Sequence, residues 1–252
     1  MESLHAERSG SGRRLVLVHG FTQTGRSWHA VAADLARDHE VVLVDAAGHG
    51  WSSAVRADLW RGGELVAEAG GEGIYVGYSM GARLALHAAL SRPSEVRALA
   101  LLGVTAGIED PRERAERVAA DERLAVSIER DGVDAFLRQW LALPMFAGLP
   151  DDPLALADRR RNDVAGLASS LRLAGTGTQQ PLWDRLRELE MPVLVLAGER
   201  DTKFAALLPR LVASIAGSAT SAVVAAAGHA AHLEAPEAFV GALRAWLESL
   251  GA

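Results

Sequence analysis

Three residues far apart in the chain are of the types that together activate a hydroxyl. Ser79 is the centre of Gly77-Tyr78-Ser79-Met80-Gly81, Asp201 ends Gly198-Glu199-Arg200-Asp201, and His229 follows Gly228. A serine hydroxyl alone is a weak base and a weak nucleophile. An imidazole can take its proton near neutral pH, and a carboxylate fixes the imidazole tautomer and stabilises the imidazolium. The order serine, acid, histidine therefore assigns Ser79, Asp201 and His229 as catalytic. The backbone N–H groups of Phe21, in His19-Gly20-Phe21, and of Met80 are the candidate oxyanion hole. Each residue also has a bland reading. Ser79 would be a structural serine in a glycine-rich turn. Asp201 would cap the next helix, leaving Glu199 as the acid. His229 would cap the last helix. His232 would compete with it as the base, or be half of a metal pair, but no third ligand is evident, so no metal is expected.

A second chemistry is written in arginines. Arg83 lies four positions after Ser79, one turn along the following helix and on the same face. A guanidinium there suits a carboxylate-bearing substrate, because arginine binds a carboxylate through two parallel hydrogen bonds. Arg172 and Arg117 are the further candidate clamps. Most other arginines of this region, Arg112, Arg114, Arg123, Arg130, Arg138 and Arg159 to Arg161, are expected to be solvated or paired with nearby glutamates. Tyr78, Trp140 and Phe146 complete the candidate substrate contacts. Trp183 reads as packing, and Asp45, His49 and Trp51 as loop residues.

The elements that must position these groups are short apolar runs and the helices between them. Leu15 to Val18, Val41 to Val44, Ile74 to Val76, Val96 to Leu102, Val193 to Ala197 and Ser221 to Ala226 read as strands, the first ones apolar throughout as in a parallel sheet buried on both faces. Trp28 to Ala36, with Ser27 as a possible cap, Leu59 to Ala69, the stretch after Ser79, Leu207 to Ile215 and Pro236 to Leu250 read as helices. Ser9-Gly10-Ser11-Gly12 reads as a turn or loose linker. Alternating strands and helices imply a mostly parallel sheet with right-handed crossovers, and function gathers at the carboxyl ends of its strands. From Ile108 to about Pro181 no strand is evident, and prolines divide the stretch into four or five short helices. The chain therefore divides into a core, residues 1–104 and 185–252, and an inserted all-helical cap, residues 105–184.

Composition bounds the rest. The chain has 252 residues, 49% of them hydrophobic and 23% charged, enough for one large core. No cysteine is present, which removes disulfides, thiolate metal sites and a cysteine nucleophile. The formal net charge of -6 gives a nucleic-acid role no electrostatic support. No apolar run approaches a membrane span, and the first residues lack a signal-peptide core. A cytoplasmic protein, favoured as a monomer, acting on a small anionic substrate, is the expectation.

His19-Gly20-Phe21, the loop from Asp45 to Ser52, Gly77 to Gly81 and Gly228-His229 together resemble the α/β-hydrolase superfamily. That resemblance implies an α/β-hydrolase core along nearly the whole chain, but no particular reaction. A narrower one rests on Gly77 to Arg83, on Trp140 to Phe146, on Asn162-Asp163 through Ser170-Leu171-Arg172 to Gly175-Thr176-Gly177 and Pro181-Leu182-Trp183, and on Gly198 to Phe204. Here the chain is similar to the 2-succinyl-6-hydroxy-2,4-cyclohexadiene-1-carboxylate synthases of menaquinone biosynthesis. It departs from them at Ala46-Ala47, where Leu-Pro is usual. The resemblance implies a lyase that eliminates pyruvate, with no cofactor and no acyl-enzyme. Two other readings remain open. One is a serine hydrolase acting on a small carboxylate ester or a carbon–carbon bond. The other is a non-catalytic binding protein on the same fold. A haloalkane dehalogenase is disfavoured, because that chemistry uses a carboxylate where Ser79 stands.

Overall fold

The apolar runs form strands because their side chains are wanted on both faces of a sheet. Leu15, Val16, Leu17 and Val18 are all fully buried, as are Val41, Val42 and Val44. The computed structural model describes residues 2–251. Its seven strands are β1 (Ala6–Gly10), β2 (Arg13–Val18), β3 (His39–Val44), β4 (Gly73–Tyr78), β5 (Val96–Leu102), β6 (Val193–Gly198) and β7 (Ala219–Val224). They lie in the order β1-β3-β2-β4-β5-β6-β7. All neighbours are parallel except β1, which runs antiparallel to β3 with Ala6 opposite Val44. Leu17 pairs with Val76, and Gly77 with Leu101. The carboxyl ends of β2, β4, β5 and β6 thus open side by side.

Of Ser9-Gly10-Ser11-Gly12, read as a turn or loose linker, Ser9 and Gly10 end strand β1 and Ser11 and Gly12 connect it to β2. In β1 only Ala6 is apolar and packs on the core, and Arg8 to Gly10 are exposed, so the strand carries no apolar alternation. Backbone pairing with β3 supplies the order.

Helices α1 (His29–Leu35), α2 (Leu59–Gly70) and α3 (Met80–Ser91) follow β2, β3 and β4. The expected helix from Trp28 is divided. Gly25–Trp28 is a 3-10 turn capped by the Thr24 side chain, not by Ser27, and α1 begins one residue later. One face of the sheet packs on α2 and α3 through Val16, Tyr75, Leu86 and Leu99. The other packs on α1 and the C-terminal helix through Leu17, Val76, Phe239 and Trp246.

Between β5 and β6 the described residues contain helices but no strand. They are α4 (Pro111–Leu141), a 3-10 turn at Pro144–Phe146, α5 (Pro153–Arg159), α6 (Val164–Ala174) and a 3-10 stretch at Trp183–Glu188. The first of these spans 31 residues and is two helices in succession, the earlier one longer than the short pieces expected. Gly132, at φ 79° and ψ 169°, leaves helical backbone and separates the two. This segment has its own small core of Ala125, Ile128, Phe136, Leu167, Ala168 and Leu171, and it lies over the carboxyl end of the sheet as a cap. Past β6 come the short α7 (Thr202–Ala205), then α8 (Leu208–Ser214), α9 (Ala231–Glu234) and α10 (Pro236–Ser249). Among the described residues no helix is long and apolar enough to cross a membrane.

Candidate active site

Ser79 sits between β4 and α3 at φ 52° and ψ -109°, a left-handed backbone that a residue with a side chain adopts only when its surroundings force it. Those surroundings are visible. The Ser79 N–H donates to the Leu102 carbonyl at 2.8 Å. A Cβ on Gly81 would collide with the Val18 carbonyl, and one on Gly77 with the backbone of Gly81 and Ala82. The two glycines let the bend pass close to neighbouring strands. Met80 is the first residue of α3, so its N–H has no acceptor within the helix and faces the end where Ser79 lies.

The acid and the histidine arrive from β6 and β7. His229 Nδ1 lies 2.6 Å from Asp201 Oδ2, and His229 Nε2 lies 3.1 Å from Ser79 Oγ. With Nδ1–H donating to the carboxylate, Nε2 is left to accept the serine proton. The imidazole edge rests on Gly103, where a Cβ would come 2.9 Å from His229 Cε1. Phe204, at 4.8 Å between ring centroids, and Tyr78, at 5.2 Å, flank it. Glu199, the rival acid, does not reach the histidine. Its Oε2 accepts from the Ala226 N–H at 2.9 Å, in the loop that follows β7.

A cavity of about 60 Å³ adjoins Ser79, bounded by Phe21, Met80, Arg83 and Arg117 and roofed by Ser170, Leu171 and Ala174 of α6. Arg83 is buried and donates through one guanidinium nitrogen to the carbonyls of Ala174 at 2.9 Å and Gly175 at 3.2 Å. It has no carboxylate partner among the described residues. Burial lowers its pKa from the usual arginine range to about 10, and the nearby Arg117 charge adds to the lowering. Arg117 itself is paired with Asp121 at 2.8 Å. Arg83 and Arg117 thus border the cavity beside the serine hydroxyl, with the Asp121 carboxylate paired to the second of them.

The remaining expected contacts are distributed. Phe21 meets Trp140 edge-on at 5.4 Å and Phe136 at 6.2 Å, and Trp140 continues to Phe146 at 5.7 Å. These rings form an aromatic bridge from the β2 loop to the cap. Phe146 also lines a neighbouring cavity of about 230 Å³. Tyr78 is buried beneath the histidines, 4.5 Å from the ring of His232, and does not line the Ser79 cavity; burial raises its pKa. Arg172 is elsewhere too. Its fork is held by Glu122 at 2.8 Å and Glu129 at 2.5 Å, on the outer side of α4, so it joins two cap helices. The two glutamates, two turns apart on α4, are what capture it.

Two buried groups carry more than the sequence suggested. Arg159, expected to be solvated, is only 5% exposed, bonds to the Thr22 hydroxyl and has no carboxylate partner among the described residues. Asn162 bridges cap and core, accepting from the Gly50 N–H at 2.9 Å and donating to the Thr22 carbonyl at 2.8 Å. Asp45 orders its own loop, accepting from the N–H groups of Gly25 at 2.7 Å and Trp51 at 2.9 Å. His232 lies fully buried against Trp28, at 4.2 Å, away from Ser79. Trp183 packs, donating to the Gly107 carbonyl at 3.0 Å beneath the guanidinium of Arg210.

A serine on a strained strand-to-helix bend, hydrogen-bonded in line to a histidine and an acid on a mostly parallel sheet, defines an α/β-hydrolase-type protein. Residues 15–242 match the alpha/beta hydrolase family. The chain is 35% identical to a Bacillus subtilis (strain 168) protein provisionally named 2-succinyl-6-hydroxy-2,4-cyclohexadiene-1-carboxylate synthase, over 92% of this chain and 89% of that one. It is 32% identical to the 2-succinyl-6-hydroxy-2,4-cyclohexadiene-1-carboxylate synthase of Escherichia coli O1:K1 / APEC, over 91% of each chain. Among solved structures it is similar to MenH from S. aureus, with a TM-score of 0.88 and 25% identity over 99% of both chains. A thermophilic esterase from Thermogutta terrifontis shares the fold, with a TM-score of 0.80 at 24% identity over 99% of this chain and 94% of that one. The chain belongs to the alpha/beta hydrolase family.

Proposed function

We propose that this protein is a carbon–oxygen lyase of menaquinone biosynthesis. It converts 2-succinyl-5-enolpyruvyl-6-hydroxy-3-cyclohexene-1-carboxylate into 2-succinyl-6-hydroxy-2,4-cyclohexadiene-1-carboxylate and pyruvate. The observation that carries this over a hydrolase is Arg83, a buried cation without a carboxylate partner beside Ser79. A buried unpaired charge is expensive, and its cost is offset when an anionic ligand docks. A lipase or simple esterase would be expected to line this space with apolar groups. The names carried by the relatives at 35% and 32% identity support the same substrate.

In this reading each step uses a group at the site. His229 Nε2 takes the Ser79 proton, and the serine oxygen removes the ring proton α to the succinyl carbonyl. The oxyanion that develops on that carbonyl is met by the N–H groups of Phe21 and Met80. As the enolate collapses, the new double bond forms, the ring double bond shifts by one position, and the bond to the enolpyruvyl oxygen breaks. Enolpyruvate leaves with that electron pair and is protonated to pyruvate. Arg83, Arg117 and Arg159 are the carboxylate clamps in this reading. Arg172 is not one of them, because Glu122 and Glu129 occupy its fork.

The test is to supply the enolpyruvyl substrate and follow pyruvate release and the new diene absorbance. Release that vanishes in Ser79→Ala supports the lyase. Hydrolysis of a short activated ester without pyruvate release would move the protein to the hydrolase reading. Arg83→Ala should reduce kcat/KM on the enolpyruvyl substrate by about a hundredfold, from loss of a charge-assisted pair of hydrogen bonds. A neutral ester should lose far less; equal losses would remove the clamp role.

A further inference from the structure

The loop that carries His229 is held from behind by a residue outside the serine–histidine–acid line. Glu234, at the end of α9, spreads its carboxylate across the backbone on both sides of the histidine. Oε2 accepts from the Gly228 N–H at 2.7 Å, and Oε1 accepts from the Ala230 N–H at 3.0 Å. Both oxygens are therefore committed to the two residues that flank His229. Upstream the loop is tied to the end of β6, where the Ala226 N–H donates to Glu199 Oε2 at 2.9 Å and the Ala227 carbonyl accepts from the Arg200 N–H at 2.8 Å. Ala226 is in the left-handed region at φ 57°, and Gly228 is packed so tightly that a Cβ there would come 2.8 Å from Glu234 Oε2.

The cap reaches the same carboxylate. Gly148, just past the 3-10 turn at Pro144–Phe146, lies so close that a Cβ would collide with Glu234 Oε2. Gly148, Glu234, Gly228, His229 and Asp201 all border one cavity of about 220 Å³ on the far side of the imidazole. Glu234 therefore stands between the tip of the cap and the loop whose position sets the distance from Nε2 to Ser79.

We propose that Glu234 is a positioning residue for His229, and that the cap bears on it at Gly148. Glu234 touches neither substrate nor the reacting atoms. It acts by holding the Gly228 and Ala230 amides so that the imidazole meets Ser79 and Asp201 together. A backbone held at two points beside a base leaves the imidazole few arrangements, and small misplacements of a base cost large factors in rate. The inference rests on the triad reading but not on the identity of the substrate.

The test uses Glu234→Gln and Gly148→Ala. The amide keeps one acceptor and turns an NH₂ group toward the second backbone N–H. The added methyl pushes the carboxylate aside while leaving its charge in place. Both variants should lower kcat by about tenfold or more, with KM within about twofold, the pattern of a lost transition-state arrangement rather than lost binding. Both should slow labelling of Ser79 by a fluorophosphonate, which reports the activated hydroxyl without any substrate. The double variant should be little worse than the worse single one, because both act on one carboxylate. Exposed Glu237→Gln is the control for charge, and the melting temperature separates positioning from loss of fold. Wild-type labelling rates and kcat in a folded Glu234→Gln protein would overturn the proposal. So would independent, multiplying losses in the double variant. If Glu234→Gln does not fold, a wild-type rate in Gly148→Ala overturns it. Absence of Ser79 labelling in the unmodified protein would instead defeat the triad reading.

Discussion

Asp201 and Glu199 leave the end of β6 two residues apart, and only one of them faces the imidazole. The Gly198 region passes so close to the His229 loop that a Cβ there would collide with the Gly228 carbonyl. That contact brings the following residues under the histidine, and Asp201 is the one whose carboxylate arrives within 2.6 Å. In Asp201→Asn the amide would favour the tautomer with the proton on Nε2, which cannot accept from Ser79. A fall in kcat of about ten-thousandfold is expected, from the effect of this exchange in other serine–histidine–acid sites. Near-normal turnover would return the role to another acid. Glu199→Gln, by contrast, keeps an oxygen that can accept from the Ala226 N–H and should keep most of the activity.

At the scale of elements, what the sequence conveys depends on whether burial or backbone pairing decides the structure. Strands β2 to β6 are legible because each is an apolar run, and the motifs after β4, β6 and β7 place Ser79, Asp201 and His229 at one end of the sheet. Strand β1 is not, since its order comes from pairing with β3. The division of α4 is hard to place from sequence because the expected breaks are prolines, of which Pro111 only begins it, whereas the break itself is Gly132 at φ 79°, with no neighbour within 4 Å of a Cβ. The arginines are the hardest to read. In Arg159-Arg160-Arg161 three identical side chains diverge: one is buried at Thr22, one pairs with Asp134, and one pairs with Asp158. Composition cannot say which turns inward, because that depends on where α5 ends. Arg172 shows the converse, a cap arginine satisfied by two glutamates on a neighbouring helix. Arg172→Ala should therefore loosen the α4–α6 contact by about 1 kcal/mol or less. Its KM for the enolpyruvyl substrate should stay within about twofold of wild type, and a tenfold rise would make it a substrate contact after all.

For the whole molecule, the loops that carry the site are built on histidines that the fold holds neutral. His19 donates from Nδ1 to the Gly20 carbonyl at 2.8 Å and accepts at Nε2 from the Ala46 N–H at 3.0 Å. His49 donates from Nδ1 to the Ala47 carbonyl at 3.1 Å and accepts at Nε2 from the Thr22 N–H at 3.4 Å. A second proton on either ring would oppose a backbone N–H. Burial lowers His19 from 6.5 to about 4, and it lowers His49 from 6.5 to about 3, with the adjacent His19 adding to the effect. His87, buried in α3, is lowered to about 4 in the same way. The sign follows from these directions. Above pH 6.5 neither the folded nor the unfolded chain protonates these rings, and their contribution to stability is complete. As pH falls below 6.5 the unfolded chain takes up protons that the folded chain refuses, so stability is lost until the folded values near 4 are reached. At pH 5 the loss is about 2 kcal/mol for each such histidine, a large share of the usual margin of a domain. Urea unfolding at pH 7.5 and pH 5 measures it directly. The midpoint should fall steeply between the two, at a pH where most carboxylates remain ionised. An unchanged midpoint would mean that the rings protonate in place, and that the loops around Thr22 and Ala46 tolerate the charge.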